Sequence, residues 1–252
     1  MKRKMQSLLV LHSQPLLVLL ILFIVPIYAY GSNDNLSANI NKAISSRYDL
    51  SELNVSVNDN GFVTIKGDVN SLFDKYRIYE IISRVQGVKK IINNINVNTD
   101  LLPADMIEAN IRNMIEGSNA IKEPDKINIE MVNSVVKLTG NVNFYREKVA
   151  ALSLAAQTDG VTDIKDDITV TPIGKAVDDS DIYDYLSSIL KNEFPLANPK
   201  DIKISVDEGF ITIEGAVSNL WTKEKIEQEF SDVSGVIRVI NNLEVNPDLA
   251  NS

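Results

Sequence analysis

Few residues of this chain belong to the types that catalyse reactions or hold metals. The sequence contains one histidine, His12, and no cysteine. Its acidic clusters are Asp166-Asp167 and Asp178-Asp179-Ser180-Asp181, and Asp59-Asn60-Gly61 carries only the first part of a calcium-loop pattern. Neighbouring residues of a strand point to opposite faces, so Asp166 and Asp167 do not converge on one substrate atom. The second cluster is typical of a solvated linker and an acidic helix start.

The N-terminal segment has the pattern of an export signal. Lys2, Arg3 and Lys4 precede an apolar run from Leu16 to Tyr30, and Ala29-Tyr30-Gly31 supplies small residues for a signal peptidase. We expect cleavage that leaves Ser32 first, with residues 1–31 as the signal peptide and the mature protein in the periplasm. A run of 15 residues is short for a membrane span of about 20. The alternative is an uncleaved inner-membrane anchor over residues 8–30.

Cleavage changes the chemistry that the chain has available. It removes His12 and three of the 25 basic residues, which leaves 22 against 34 acidic ones and a net charge of −12. Without histidine or cysteine, thiol nucleophiles, histidine-based triads and Cys/His zinc sites are excluded. We therefore expect no catalytic residue, no metal, no cofactor and no enzymatic activity. The acidic balance also opposes binding to nucleic acid, which requires a basic surface.

Six glycines define an internal repeat. They form three pairs, each separated by 20 residues, and the pairs recur 73 and 75 residues apart. The pairs are Gly67 and Gly87, Gly140 and Gly160, and Gly215 and Gly235. Such a spacing indicates three copies of one unit joined by linkers. We expect these copies at residues 33–100, 104–172 and 179–247, named units 1, 2 and 3 below.

The order of elements within a unit follows from its apolar periodicity. Each first glycine lies in a run with apolar residues at alternate positions, as in Val63-Thr64-Ile65-Lys66-Gly67, which predicts a half-buried strand. The glycine implies either a helix crossing close to the sheet or a β-bulge with positive φ. Each second glycine suits the left-handed position after a helix.

Ahead of each pair, the sequence predicts a helix and a further strand. The helices are Leu36–Ser46, Ala104–Glu116 and Asp181–Asn192, and the strands are Leu53–Val57, Ile127–Met131 and Ile202–Val206. Short turns between strands indicate antiparallel hairpins, and the helical crossover makes the last strand parallel to a neighbour. We therefore predict an α+β fold of three tandem α-β-β-α-β units. Each is a three-stranded mixed sheet covered on one face by two helices.

The chain resembles the BON family, a module named for bacterial osmotically inducible and nodulation proteins. The resemblance lies in the apolar-x-apolar-x-Gly-x-Val run, the 20-residue step to Gly-Val, and a closing Asn-Asn-x-x-Val. That closure occurs at Asn93–Val97 and Asn241–Val245, whereas the second copy has Asp166-Asp167-Ile168-Thr169-Val170. The resemblance implies a periplasmic envelope protein that contacts phospholipid and contributes to envelope integrity or stress tolerance.

One local pattern follows the first glycine of every copy. Bulky apolar residues there adjoin basic ones at the expected start of the second helix, a combination suited to a bilayer interface. The candidate lipid-binding residues are Leu72, Phe73, Lys75, Phe144, Tyr145, Arg146, Leu220, Trp221 and Lys223. The alternative is that Phe73, Tyr145 and Trp221 cover the helix start or pack between repeats.

Two functions thus remain open from the sequence. The first is binding to phospholipid membrane surfaces. The second is a periplasmic protein-interaction module or holdase-like chaperone, which the acidic charge and the tandem architecture suit equally well. The oligomeric state does not follow from the sequence.

Overall fold

The computed structural model of the protein describes residues 33–132, 134–171, 177–195 and 201–251. The expected signal peptide, residues 1–31, and the alternative anchor, residues 8–30, lie outside these ranges. Within the described ranges, no helix is long and apolar enough to cross a membrane.

Each unit has the predicted order of helix, strand, strand, helix and strand. Unit 1 comprises α1 Asn33–Ser45, β1 Leu53–Val57, β2 Phe62–Val69, α2 Leu72–Ser83 and β3 Lys90–Val97. Unit 2 comprises α3 Ala104–Glu116, β4 Ile127–Val132, β5 Val135–Val142, α4 Tyr145–Ala156 and β6 Asp163–Val170. Unit 3 comprises α5 Asp179–Glu193, β7 Lys203–Asp207, β8 Phe210–Val217, α6 Leu220–Ser231 and β9 Arg238–Val245.

The three sheets have the same mixed topology. The second strand of each unit lies in the centre, antiparallel to the first strand and parallel to the third. In unit 1, Val63 and Ile65 face the helices and are fully buried, whereas Lys66 on the other face is exposed. Both helices of the unit contribute to that buried cluster. The α+β prediction, with two helices on one sheet face, is confirmed.

The first glycine of each pair has a different neighbour from the ones expected. Gly67, Gly140 and Gly215 have φ of 136°, 125° and 132°. A Cβ on Gly67 would lie 2.0 Å from the Glu52 carbonyl oxygen, in the turn that leads into β1. The backbone that comes close is therefore this turn and not a crossing helix. The strand register also continues unbroken through Gly67, so the positive φ occurs without a bulge.

The second glycine of each pair agrees with its prediction. Gly87, Gly160 and Gly235 follow the second helix of their units and have φ between 88° and 99°. This left-handed conformation turns the chain from the helix into the last strand, and glycine adopts it without steric conflict between a Cβ and the backbone.

Candidate functional site

The starts of α2, α4 and α6, where the sequence places the lipid-binding candidates, lie at the junctions between units. Leu72, Tyr145 and Leu220 are equivalent, since each is five residues beyond the first glycine of its unit. Ser71 and Asn219 cap two of these helices, accepting hydrogen bonds from the backbone N–H groups of Asp74 and Thr222. Such caps fix the helix start and therefore the direction of the first side chain.

Two of the equivalent residues enter the core of another unit. Leu72 of unit 1 is 1% exposed and belongs to the buried cluster of unit 2. Leu220 of unit 3 is 8% exposed and belongs to the buried cluster of unit 1. Val97 and Val245, at equivalent ends of β3 and β9, pack against the same two clusters. Each buried leucine contributes about 1.5–3 kcal/mol through the hydrophobic effect.

Tyr145 makes the corresponding contact between units 2 and 3. It lies beside Glu227 and Asp232 of unit 3, and burial with these charges raises its pKa to about 12. Burial raises the pKa of the Asp232 carboxyl group, and the charge of Arg146 in unit 2 opposes this effect. Unit 1 therefore docks on unit 2, unit 2 on unit 3, and unit 3 on unit 1. These head-to-tail contacts return to the first unit and so form a closed ring.

The junction between units 3 and 1 also holds polar groups. Tyr79 Oη donates to Glu224 Oε1 over 2.5 Å, and Gln86 Nε2 donates to the carbonyl oxygens of Ser218 and Pro247. Burial raises the pKa of Glu224 to about 7, although the hydrogen bond from Tyr79 opposes this effect. The carboxyl group is therefore protonated in part of the molecules at neutral pH.

Trp221 lies at this same junction. The guanidinium carbon of Arg84 in unit 1 is 5.0 Å from its ring centroid. Its indole Nε1 is buried and finds no acceptor in the part of the chain that the structure describes. Trp221 and Tyr145 thus lie between repeats, which is one of the alternatives that the sequence left open for these aromatics. Leu72 and Leu220, for which the sequence left no such alternative open, also pack between repeats.

Lys75 and Lys223 have a backbone role in their own units. The side chain of Asn93 donates to the Lys75 carbonyl and accepts from the N–H of Ile95. Asn241 does the same with the Lys223 carbonyl and the N–H of Leu243. The first asparagine of the closing motif therefore links the third strand of the unit to the second helix. It also accepts a hydrogen bond from a backbone N–H of that strand.

Unit 2 achieves the same tie with charges. Asp166 accepts from the N–H of Ile168, and its second oxygen forms an ion pair of 2.7 Å with Lys148, the equivalent of Lys75 and Lys223. Lys148 also donates to the Ile168 carbonyl. The replacement of asparagine by aspartate thus preserves the tie, because a lysine side chain substitutes for the backbone partner.

One half-buried aromatic among the candidates lies between two exposed cations. Phe144 is half-buried at the start of α4, and Lys122 and Arg146 beside it are exposed. Lys122 Nζ and Arg146 Cζ lie 5.5 and 4.2 Å from its ring centroid. Glu147 fixes this turn by accepting hydrogen bonds from the N–H groups of Asn143 and Phe144. Phe73 is half-buried in unit 1.

The acidic clusters serve local structure. Asp179 accepts hydrogen bonds from the N–H groups of Glu208 and Gly209 and so holds the hairpin of unit 3. Asp167 lies 3.4 Å from Lys165 in an exposed ion pair. In the described ranges, no group of three or more histidine, cysteine, aspartate or glutamate residues is placed to hold a metal ion.

The sequence reasoning missed the contacts between units made by Tyr79, Gln86 and Glu224. Glu224 lies on α6 and Gln86 lies just beyond α2, and both are buried although their polar side chains predict exposure. Their partners lie more than 100 residues away, and no spacing within a unit identifies them.

Comparison with known proteins adds the family. The chain is similar in structure to CdsD, a structural protein of the type III secretion system of Chlamydia trachomatis, with 15% identity and a TM-score of 0.24 over 84% of this chain and 92% of that chain. It is also similar to the PrgH periplasmic domain, with 10% identity and a TM-score of 0.21 over 82% and 99% of the two chains. No curated protein matches the chain.

The family profile of the BON domain matches residues 32–99, 103–172 and 178–247. These three segments account for most of the chain and coincide with the three α-β-β-α-β units seen in the structure. The chain therefore belongs to the BON domain family, with three tandem copies.

Proposed function

We propose that this protein is a non-enzymatic envelope protein, exported to the periplasm, that binds anionic phospholipid surfaces. In this role it contributes to envelope integrity or stress tolerance. The observation that carries the proposal is Phe144, held at the surface of unit 2 between the exposed cations Lys122 and Arg146. An aromatic ring suits the headgroup level of a bilayer, and the flanking cations suit lipid phosphates.

The net negative charge of the chain does not cancel this local chemistry. At an ionic strength of 0.1 M, the screening length is about 10 Å, so a cluster interacts mainly with charges close to it. Each lysine or arginine near an anionic membrane contributes about 1 kcal/mol to binding. Binding through such a cluster weakens as salt is added, which separates it from purely apolar insertion.

The other aromatic and aliphatic candidates are assigned to the ring and not to lipid. Leu72 and Leu220 are buried in neighbouring units, and Trp221 packs between units 3 and 1 under Arg84. Exposing them to a bilayer requires the units to separate. The proposal therefore depends on Phe144 and Arg146 among the candidates, together with Lys122.

Vesicle co-sedimentation tests the proposal. The protein is expected to pellet with vesicles of phosphatidylethanolamine and phosphatidylglycerol at low salt, and not with phosphatidylcholine vesicles. Lys122→Glu should weaken the apparent affinity about tenfold or more, because it reverses a charge at the membrane-facing cluster. Lys191→Glu, an exposed site on α5 in unit 3, is the control with the same change in net charge.

Absence of binding to the anionic vesicles at low salt contradicts the proposal. Suppression of client-protein aggregation in the absence of lipid, combined with that result, would support the protein-interaction alternative.

A further inference from the structure

The helix-free face of the unit 1 sheet differs in chemistry from the same face in units 2 and 3. Successive side chains of a strand point to opposite faces of the sheet. The residues between the buried ones therefore lie on the face opposite the helices. In unit 1 they are Asn54, Ser56, Phe62, Thr64, Lys66, Asp68, Lys90, Ile92, Asn94 and Asn96, named here the unit 1 sheet face.

Two large apolar residues lie exposed on this face. Phe62 and Ile92 are 37% and 41% exposed, and Phe62 is paired in register with Lys90. Lys90 Nζ lies 5.9 Å from the Phe62 ring centroid. The combination of an exposed ring, an aliphatic side chain and a cation favours an interface between water and an apolar phase.

The charges on this face are mostly positive. Lys66 and Lys90 lie on it, and the exposed Lys89 adjoins it. Across the described ranges, none of these three lysines has a carboxylate within ion-pair distance. The one acidic residue of the face, Asp68, lies at the other end of β2, where it accepts hydrogen bonds from Asn96 and Asn98.

Unit 3 retains the apolar pair but not the excess of positive charge. Phe210 and Ile240 are 45% and 42% exposed and correspond to Phe62 and Ile92. Arg238 is in register with Phe210, as Lys90 is with Phe62, but Asp207 lies opposite Phe210 and Glu214 lies opposite Lys203, so acidic side chains balance the cations of this face. Unit 3 therefore supplies a comparison in which aromatic exposure is kept and the excess of positive charge is absent.

Unit 2 retains neither feature. Val135 takes the place of Phe62, Lys165 that of Ile92, and Asp163 that of Lys90. Within a chain that carries an excess of acidic residues, the cationic aromatic face is thus a property of unit 1.

We infer that the unit 1 sheet face is a second contact for an anionic lipid surface, with Lys66, Lys89 and Lys90 on headgroup phosphates and Phe62 and Ile92 at the level of the headgroups. This inference rests on the proposed function. The occupant follows from charge complementarity together with the exposed apolar pair. An acidic soluble partner accounts for the lysines but leaves Phe62 and Ile92 in water.

The test compares matched variants of the full mature chain on vesicles of phosphatidylethanolamine and phosphatidylglycerol. Lys66→Gln with Lys90→Gln should weaken binding about fivefold for each lysine removed. Phe62→Ser should weaken binding several-fold, whereas Phe210→Ser at the equivalent site of unit 3 should leave it unchanged. These residues are exposed, so circular dichroism of the variants is expected to match that of the parent.

A positional readout gives a second measure. Phe62→Trp should show a blue shift of its fluorescence when vesicles are added, and Phe210→Trp should show none. The native Trp221 is half-buried between units, with its indole Nε1 buried, and contributes the same background to both proteins.

The two proposals fail in different ways. If the parent protein binds vesicles, Lys122→Glu weakens binding, and the unit 1 variants bind like the parent, the inference is overturned and the proposed function stands. If the parent protein does not bind vesicles, the proposed function fails. Binding of the unit 1 face to an acidic peptide, lost in Lys66→Gln with Lys90→Gln while vesicle binding persists, also overturns the inference.

Discussion

The junction of unit 3 with unit 1 is closed by apolar side chains that enter a core, whereas its junction with unit 2 keeps an open groove lined by charged and aliphatic side chains. On one side, Leu220 and Val245 pack into the core of unit 1. On the other side, the described core of unit 3 contains only residues of unit 3. A groove of about 820 Å³ runs between units 2 and 3, lined among others by Tyr145, Lys148, Glu227 and Arg238.

This difference shows that the same position in a repeated unit is used in two physical ways. A leucine that leaves water on docking contributes about 1.5–3 kcal/mol. Among the described residues no ion pair joins units 2 and 3. Charged side chains that stay open to water contribute about 1 kcal/mol or less, because water and salt screen them. The ring is therefore expected to be held mainly by two apolar junctions, with the junction between units 2 and 3 as its weaker contact.

The largest expected effect separates these two kinds of junction. Leu220→Ala should lower the free energy of unfolding by about 2–5 kcal/mol, since it leaves a cavity in the core of unit 1. Tyr145→Ala, at the equivalent position of unit 2, should lower it by about 1–2 kcal/mol, because the side chain borders the groove. Urea unfolding followed by circular dichroism measures both. Equal losses would show that the junctions are alike.

A change of pH is expected to act on the apolar junction through Glu224. Burial raises its pKa from the ordinary 4.5 to about 7, so the folded state favours the protonated form. The resulting stability is fully present below pH 4.5 and is lost as the pH rises through about 7, a change on the order of 3 kcal/mol.

The charged groups around Glu224 sharpen this expectation. Tyr79 and Glu80 face it from α2, and Lys223 and Glu227 lie beside it on α6. Glu80 is itself paired with Arg77 and Arg84. Glu224→Gln should therefore flatten the dependence of unfolding free energy on pH between 4.5 and 7. An undiminished slope in that variant would assign the effect to other groups.

The smallest expected effect tests the tie that unit 2 makes with charges. In a double-mutant cycle of Lys148→Ala and Asp166→Asn, we expect a coupling energy of about 1 kcal/mol, because both side chains are largely buried. The exposed pair of Lys165 and Asp167 in the same strand should give close to zero. Thermal unfolding of the single and double variants checks this. Equal couplings for the two pairs would exclude a special role for Asp166.

The fold within each unit could be predicted from the sequence because its determinants are local. Alternating apolar residues identified the strands, and the glycine after each second helix marked the turn. The surroundings of Gly67 could not be deduced, because the Glu52 carbonyl reaches it from a turn whose path no periodicity describes.

The arrangement of the units relative to one another could not be predicted from the sequence. The sequence pattern around Leu72 and Leu220 suits contact with lipid as well as burial in a neighbouring core. Only the packing of the units in the ring shows that these leucines are buried in a core. Likewise, the sequence showed that Asp166 replaces an asparagine, but not that Lys148 compensates for it across the unit. Such features depend on contacts between distant segments, which a hydrophobic pattern does not encode.

In the closed docking order, each of the three units both makes and receives one contact. Each unit offers one protruding helix start and one receiving surface, and a contact of this kind extends indefinitely when successive rotations do not return to the first member. With three copies, the last protrusion enters the first receiver. With two copies, one receiving surface would stay uncovered. A fourth copy would meet no uncovered receiving surface within this arrangement.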